Sequence, residues 1–108
     1  PGAQNLSLHE GLRKSLIAHN LRETLIAAIC AAPMVLGRRD LLNGRRATCY
    51  PGFEHELRGA QVVDDRVCED GHIITARGPG CTVDFAFAIA ARFVDSATIS
   101  RVRADMLL

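Results

Sequence analysis

An apolar run without polar alternation leads into the first cysteine of the chain. Residues Leu25–Ile29 predict a strand over residues 24–29 that is covered on both faces, as in a parallel sheet with helices on each side. Pro33 suits the first turn of a helix, where no backbone N–H is needed. The pattern therefore places Cys30 at the carboxyl end of a strand, just before a helix.

The residues before this strand predict a loop and one amphipathic helix. Residues 1–5 indicate the loop, and Ser7 with Glu10 three positions later fits a capping box. Apolar positions at helical spacing then extend the helix to about Asn20. After the strand, a second helix is predicted from Ala31 and ends at residues 37–39, where a glycine is followed by two arginines.

The middle of the chain has the clearest hairpin signal. Two strand-like segments between residues 62 and 76 flank Asp70-Gly71, which predicts a type I′ turn. A shorter strand is predicted over residues 47–50 and stops at Pro51. Only residues 24–29 resemble a central parallel strand, and such a strand needs neighbours on both edges. We therefore expect an N-terminal β-α-β portion to be absent from this chain.

Two helices are predicted in the last third of the chain. The first covers about residues 82–94 and has almost no polar face, so it is expected to be buried. Asp95 or Ser96 caps the last one.

Composition and charge exclude several classes of function. The 108 residues are at most one domain, and a net charge of +1 gives no electrostatic footprint for nucleic acid. No apolar run approaches the roughly 18 residues of a membrane span. The cysteines at positions 30, 49, 68 and 81 are too widely separated for paired C-x-x-C metal ligands. We expect no metal, no cofactor and no disulfide framework. We expect a cytoplasmic location.

The position predicted for Cys30 favours a reactive thiol. A sharp turn between strand and helix exposes its central residue and needs small neighbours, which Ala31 and Ala32 are. The helix N-terminus favours the thiolate, and its amides could hold a developing oxyanion. A buried structural cysteine is the alternative. The residues alone leave the two interpretations open.

A second cluster of polar residues follows Pro51. Glu54, His55 and Glu56 contain potential metal ligands, but adjacent residues on a helical turn point in different directions. A solvated turn is therefore the favoured interpretation.

Three stretches together resemble the ThiJ/PfpI superfamily, in its parkinsonism-associated deglycase (DJ-one) branch. They are residues 27–33 (AAICAAP), 47–52 (ATCYPG) and 70–80 (DGHIITARGPG), and the resemblance continues through essentially all 108 residues. Each motif alone is modestly specific, whereas their order and spacing are strongly so.

The resemblance implies a fold and a site. The fold is an α/β, flavodoxin-like three-layer α/β/α sandwich, like the class I glutamine amidotransferases, usually as a homodimer. Residues 1–108 would be the C-terminal part of a single domain. Cys30 would be the nucleophile and Ala31 would donate the oxyanion amide, while Tyr50, Arg77 and Gly78 would line the substrate pocket.

The resemblance also implies two departures from the family. Family members carry a glutamate and a glycine-rich loop upstream of this segment, so we expect either that the missing part is a separate chain or that this chain is a truncated product. We expect residues 1–108 alone to be inactive for this reason.

Tyr50 stands where many relatives have histidine, and a phenol with an ordinary pKa near 10 is a poor general base. A transfer of that role to His55 has no motif support. Arg77 could meet a substrate carbonyl or an anion, or it could be a hairpin-end charge held by a carboxylate.

The expected function is a cofactor-free cysteine enzyme, a deglycase or glyoxalase acting on dicarbonyls of the methylglyoxal type or on their adducts. The alternative is a redox-sensing, chaperone-like protein whose Cys30 is oxidised to the sulfinic acid.

Overall fold

A computed structural model describes residues 1–108, with one three-stranded sheet at the centre. Strand β1 (Ile26–Ile29) pairs in parallel with β5 (Ile73–Ala76), and β5 pairs in antiparallel with β4 (Val67–Asp70). A separate parallel pair contains β2 (Arg46–Ala47) and β3 (Gln61–Val62). The helices are α1 (Gly2–Leu8), α2 (Glu10–Arg22), α3 (Pro33–Arg38), α4 (Thr82–Ala90) and α5 (Ser96–Asp105).

The central strand of the sheet is β5, and not the apolar run before Cys30. All four residues of β5 are buried, with exposed fractions between 0% and 1%. Strand β1 is shorter than predicted and lies at the edge of the sheet, with Ala27 exposed. The cover on both faces predicted for residues 24–29 is not present within residues 1–108, because the face of β1 that carries Ala27 is exposed.

The predicted hairpin is present with a different turn. Asp70 pairs with Ile73, so the two loop residues are Gly71 and His72. A type I′ turn needs positive φ at both loop residues, but only Gly71 has it, at +60°. Glycine with positive φ at the first position fits a type II′ turn instead. His72 is buried, and its Nε2 forms a 2.8 Å hydrogen bond with Oδ1 of Asn20 on α2.

The N-terminal residues form a helix where a loop was predicted. Helix α1 packs on α3, where the Arg38 guanidinium donates to Oε1 of Gln4 and to Oγ of Ser7. Ser7 is buried within α1 and does not cap α2. The N-cap is His9, whose Nδ1 accepts the N–H of Leu12 at 2.9 Å. The contacts of α1 with Arg38 join residues 34 and 31 positions apart, and local sequence does not encode them.

Helix α3 begins at Pro33 rather than at Ala31, with the proline in its first turn as predicted. The helix ends at Arg38, within the predicted 37–39 interval, although Gly37 itself is still helical. A Cβ atom at Gly37 would lie 2.0 Å from the carbonyl oxygen of Glu56. The glycine therefore permits close packing of the 51–57 segment on α3.

The apolar helix near the C-terminus is shorter and more exposed than predicted. Helix α4 ends at Ala90, packs on β4 and β5, and contains no buried residue. One side of it therefore has no cover among these 108 residues. Asp95 caps α5 as predicted, since its Oδ1 accepts the N–H of Thr98 at 2.8 Å.

The strand predicted over residues 47–50 is largely absent. Only Ala47 belongs to β2, and Thr48 and Cys49 are buried as irregular chain. The N–H of Thr48 donates to Oγ1 of Thr75 on β5 at 3.0 Å. The side chain of Thr75 thus accepts the hydrogen bond that the backbone of a neighbouring strand would otherwise accept.

None of the helices is long and apolar enough to cross a membrane.

Candidate active site

Cys30 is the first residue after β1, in a tight turn before α3. Its φ is +67°, which is uncommon for a residue other than glycine and stores strain at that position. Its N–H donates to the carbonyl oxygen of Ala76 at 3.0 Å, and its own carbonyl accepts the N–H of Tyr50 at 2.8 Å. These two bonds hold the strained backbone between the end of β5 and the 48–51 segment.

The two alanines after Cys30 complete the turn. The N–H of Ala32 donates to the carbonyl of Ile29 at 3.1 Å, which closes the turn tightly. The N–H of Ala31 donates to no acceptor in the protein. A free amide beside a thiol is the arrangement that an oxyanion site requires.

The four cysteines lie in different environments. Cys30 is half-buried, whereas Cys49, Cys68 and Cys81 are buried. Burial raises the pKa of Cys49 to about 11, the Glu54 carboxylate adds to the rise, and the Arg77 guanidinium opposes it. Burial also raises the pKa of Cys68. A buried thiol with a raised pKa is a poor nucleophile, so Cys30 is the thiol best placed to react.

Tyr50 and Gly78 lie against each other beside this turn. Gly78 is buried, and a Cβ atom there would lie 3.3 Å from Cδ2 of Tyr50. The Tyr50 side chain is 46% exposed, and its hydroxyl makes no hydrogen bond within the protein. The ring is thus positioned by backbone, while its polar end stays available.

Arg77 directly follows β5 and is half-buried. Within residues 1–108, no carboxylate lies within ion-pairing distance of its guanidinium. It lines an open cavity of about 440 Å³ together with Tyr50 and Gly78. The three residues expected to bind substrate therefore share one cavity.

Glu54, His55 and Glu56 form a short 3₁₀ helix, close to the predicted helical turn. Glu56 is bound by Arg38, and an oxygen of Glu54 accepts the N–H of Gly52 at 2.7 Å. The pKa of the Glu54 carboxyl is lowered by its own N–H and then by that of Gly52, and the pKa of the Glu56 carboxyl is lowered by the Arg38 guanidinium. Both carboxylates serve the local structure, which supports the solvated-turn interpretation. His55 is exposed and lines a different cavity, of about 510 Å³, which also reaches Ala31.

Sequence reasoning missed two supports of the site, the hydroxyl of Thr75 and the carbonyl of Ala76. The first holds the segment that carries Tyr50, and the second holds Cys30. No local signal marks either group, because each acts on a residue more than 25 positions away.

Comparison with known proteins identifies the family. The model of the DJ-1/PfpI family matches residues 1–92. The chain belongs to the DJ-1/PfpI family. It is 34% identical over 110 residues to the Parkinson disease protein 7 homolog of Danio rerio, covering 99% of this chain and 58% of that protein. Its fold matches the crystal structure of Drosophila melanogaster DJ-1beta with a TM-score of 0.93 and 33% identity, over 99% of this chain and 59% of the other.

One of the relatives is named for an enzymatic activity. Over 84 residues the chain is 34% identical to an isonitrile hydratase of Pseudomonas putida, covering 75% of this chain and 36% of that protein. The fold is thus the flavodoxin-like α/β fold of DJ-1 proteins, and the chain spans a little under three fifths of the Danio and Drosophila relatives. Family membership supports an enzymatic or redox-related role.

Proposed function

We propose that this protein is a cofactor-free, cysteine-dependent enzyme, a deglycase or glyoxalase acting on dicarbonyls of the methylglyoxal type or on their adducts. The observation that carries the proposal is the strained turn of Cys30, half-exposed and next to the free N–H of Ala31. Residues 1–108 then act as the C-terminal part of one such domain.

The first step is addition of the Cys30 sulfur to the aldehyde carbon. A C–S bond forms, the π electrons of the carbonyl move to oxygen, and the thiol proton leaves. The N–H of Ala31 donates to the resulting oxyanion, and protonation of that oxygen gives a hemithioacetal. The glutamate that the resemblance assigns to proton transfer has no counterpart among residues 1–108. We therefore expect these residues alone to be inactive.

Methylglyoxal consumption by the full-length protein tests this proposal. We expect Cys30→Ser to reduce kcat/KM by at least about a hundredfold, because the nucleophile is removed. Cys68→Ser is the matched control, since it replaces a buried thiol of β4 that faces no cavity of the site. Consumption by Cys30→Ser at the parental rate would rule out the proposed chemistry.

A redox role is the second candidate, favoured by the single half-exposed thiol. With the other three thiols buried, peroxide is expected to act on Cys30 selectively. Two equivalents of peroxide would convert the thiol to the sulfinic acid, each being reduced to water. Mass mapping after mild peroxide should place two added oxygens on Cys30. Their absence, or their equal presence on Cys49, would contradict the redox role.

The assembly and location remain part of the proposal. A cytoplasmic homodimer fits the family resemblance, with a small dicarbonyl or glycated molecule as substrate. A complementary N-terminal segment, in the same or a separate chain, would supply the upstream glutamate.

A further inference from the structure

A second cysteine lies beside the reactive turn. Cys49 directly precedes Tyr50, whose N–H donates to the carbonyl oxygen of Cys30 at 2.8 Å. That oxygen lies about 2.4 Å from the Cα atom of Cys30, and the planar peptide of the donor puts the Cα atom of Cys49 about 3.5 Å from it. The two Cα atoms are therefore at most about 6 Å apart, within the range of about 4.4–6.8 Å that a disulfide spans.

The side chain of Cys49 packs in the same part of the core as the residues that flank Cys30. It belongs to the buried apolar cluster that includes Ala28 and against which Ala32 packs, and these alanines lie two positions before and two after Cys30. After burial and the Glu54 carboxylate, charge on the Cys30 sulfur adds to the rise in the pKa of Cys49. The two sulfurs therefore lie close enough to interact.

The position of Cys49 is not shared by the thiol of β4. Cys68 pairs with Thr75 on β5, and Thr75 pairs with Ala28 on β1. Two strand spacings therefore separate Cys68 from β1 by about 10 Å, which is beyond the reach of a disulfide. Of the three buried cysteines, Cys49 alone neighbours a residue whose backbone bonds to Cys30.

We infer that Cys49 is a resolving thiol, which condenses with the sulfenic acid of Cys30 to form a reversible intramolecular disulfide. Hydrogen peroxide first converts the Cys30 thiol to the sulfenic acid and is itself reduced to water. The Cys49 sulfur then attacks the Cys30 sulfur. The S–S bond forms, the S–O bond breaks, and the hydroxyl leaves as water with the proton of the Cys49 thiol. The disulfide blocks the nucleophile of the proposed reaction until a dithiol reduces it.

The disulfide and the sulfinic acid are alternative fates of the same sulfenic acid. The sulfinic acid needs a second equivalent of peroxide, whereas the disulfide needs no further oxidant. Because burial raises the pKa of Cys49, its thiolate is scarce at neutral pH, and a large excess of peroxide overtakes the condensation. We therefore expect the disulfide at one equivalent. The inference rests on the reactivity of Cys30 that the proposed function requires, but not on turnover of dicarbonyls.

Peptide mapping of the full-length protein without reductant tests the inference. After one equivalent of peroxide, N-ethylmaleimide blocks the remaining thiols and the protein is digested. We expect a linked pair of peptides that contains Cys30 and Cys49 and is lighter than the separate peptides by the two thiol hydrogens. Dithiothreitol should separate the pair and return Cys30 to the free thiol.

Two variants remove the resolving thiol, Cys49→Ser and the more apolar Cys49→Ala. Dimedone, which traps sulfenic acid, should label Cys30 at least about fivefold more in both variants than in the parent, because no condensation consumes the sulfenic acid. Cys68→Ser is the matched control. It should form the linked pair within about twofold of the parent, because Cys68 is out of reach of Cys30.

Three outcomes would overturn the inference. The first is added oxygen on Cys30 at one equivalent of peroxide without any linked pair, and the second is equal dimedone labelling of the parent and both Cys49 variants. The third is linkage of Cys30 to Cys68 or Cys81 as abundant as linkage to Cys49, which would indicate exchange in an opened protein.

Methylglyoxal consumption, measured on the same reduced protein, separates this inference from the proposed function. A linked pair in a protein that does not consume methylglyoxal supports the resolving role and rejects the enzymatic proposal. Consumption that depends on Cys30, in a protein that forms no linked pair, does the reverse.

Discussion

Strands β1 and β5 run side by side and end at the same site, yet they are supported very differently. Strand β5 has a partner on each edge, and all its residues are buried. Strand β1 has one partner, and its residues line an apolar groove of about 190 Å³ together with residues of α1, α2 and α3. Cys30, which carries the reactive thiol, follows β1, the strand with one partner. Arg77 follows β5, the strand with two partners. The position of Cys30 therefore depends on bonds to the end of β5 and to the Tyr50 segment.

The largest expected effect is a difference in the free energy of unfolding that truncation of a side chain removes from each strand. Ile74→Ala in β5 should lower the free energy of unfolding by about 3 kcal/mol, because a fully buried side chain leaves a cavity. Ile29→Ala in β1, which removes the same atoms from a half-buried position, should cost about 1 kcal/mol. Denaturant unfolding measures both values, and equal losses would show that the strands are equally supported.

A smaller effect concerns the link from β5 to the segment that carries Tyr50. Thr75→Val should cost about 2 kcal/mol, because the buried N–H of Thr48 loses its acceptor. Thr75→Ser keeps the hydroxyl and should recover the hydrogen-bond part of that loss. If Thr75→Ser is as unstable as Thr75→Val, the hydrogen bond does not support this segment.

The smallest expected effect is a pH dependence at the start of β5. Burial lowers the pKa of His72, and the neighbouring Arg45 lowers it further. The unfolded chain then binds a proton more readily than the folded protein, so stability should fall as pH drops from about 7 to about 5. His72→Gln, which keeps a donor for Asn20, should show a shallower fall in thermal scans over this interval. An unchanged slope would mean that His72 does not carry the effect.

The sequence predicts those parts of the fold that have a local cause. Pro33 in the first turn of α3, Gly71 in the hairpin and the Asp95 cap each follow from the conformational preference of one residue. The family motifs placed Cys30, Tyr50 and Arg77 on segments that the structure brings together at one end of the sheet.

The remaining features depend on contacts that local sequence does not encode. Helix α1 forms where Arg38 binds Gln4 and Ser7, 34 and 31 residues away. The burial of β5 depends on its two neighbouring strands and on segments packed against it, among them α4 and the chain at Thr48, whereas its sequence alone resembles an ordinary hairpin arm. Helix α4 stays exposed because burial requires a covering element as well as an apolar sequence.

Selective alkylation of the four thiols tests whether the turn after β1 presents Cys30 alone for reaction. Iodoacetamide labelling of the folded protein, followed by peptide mapping, gives a rate for each cysteine. We expect Cys30 to react first, and Cys49, Cys68 and Cys81 to react only as fast as the protein opens. Labelling of Cys49 as fast as Cys30 under native conditions would contradict it.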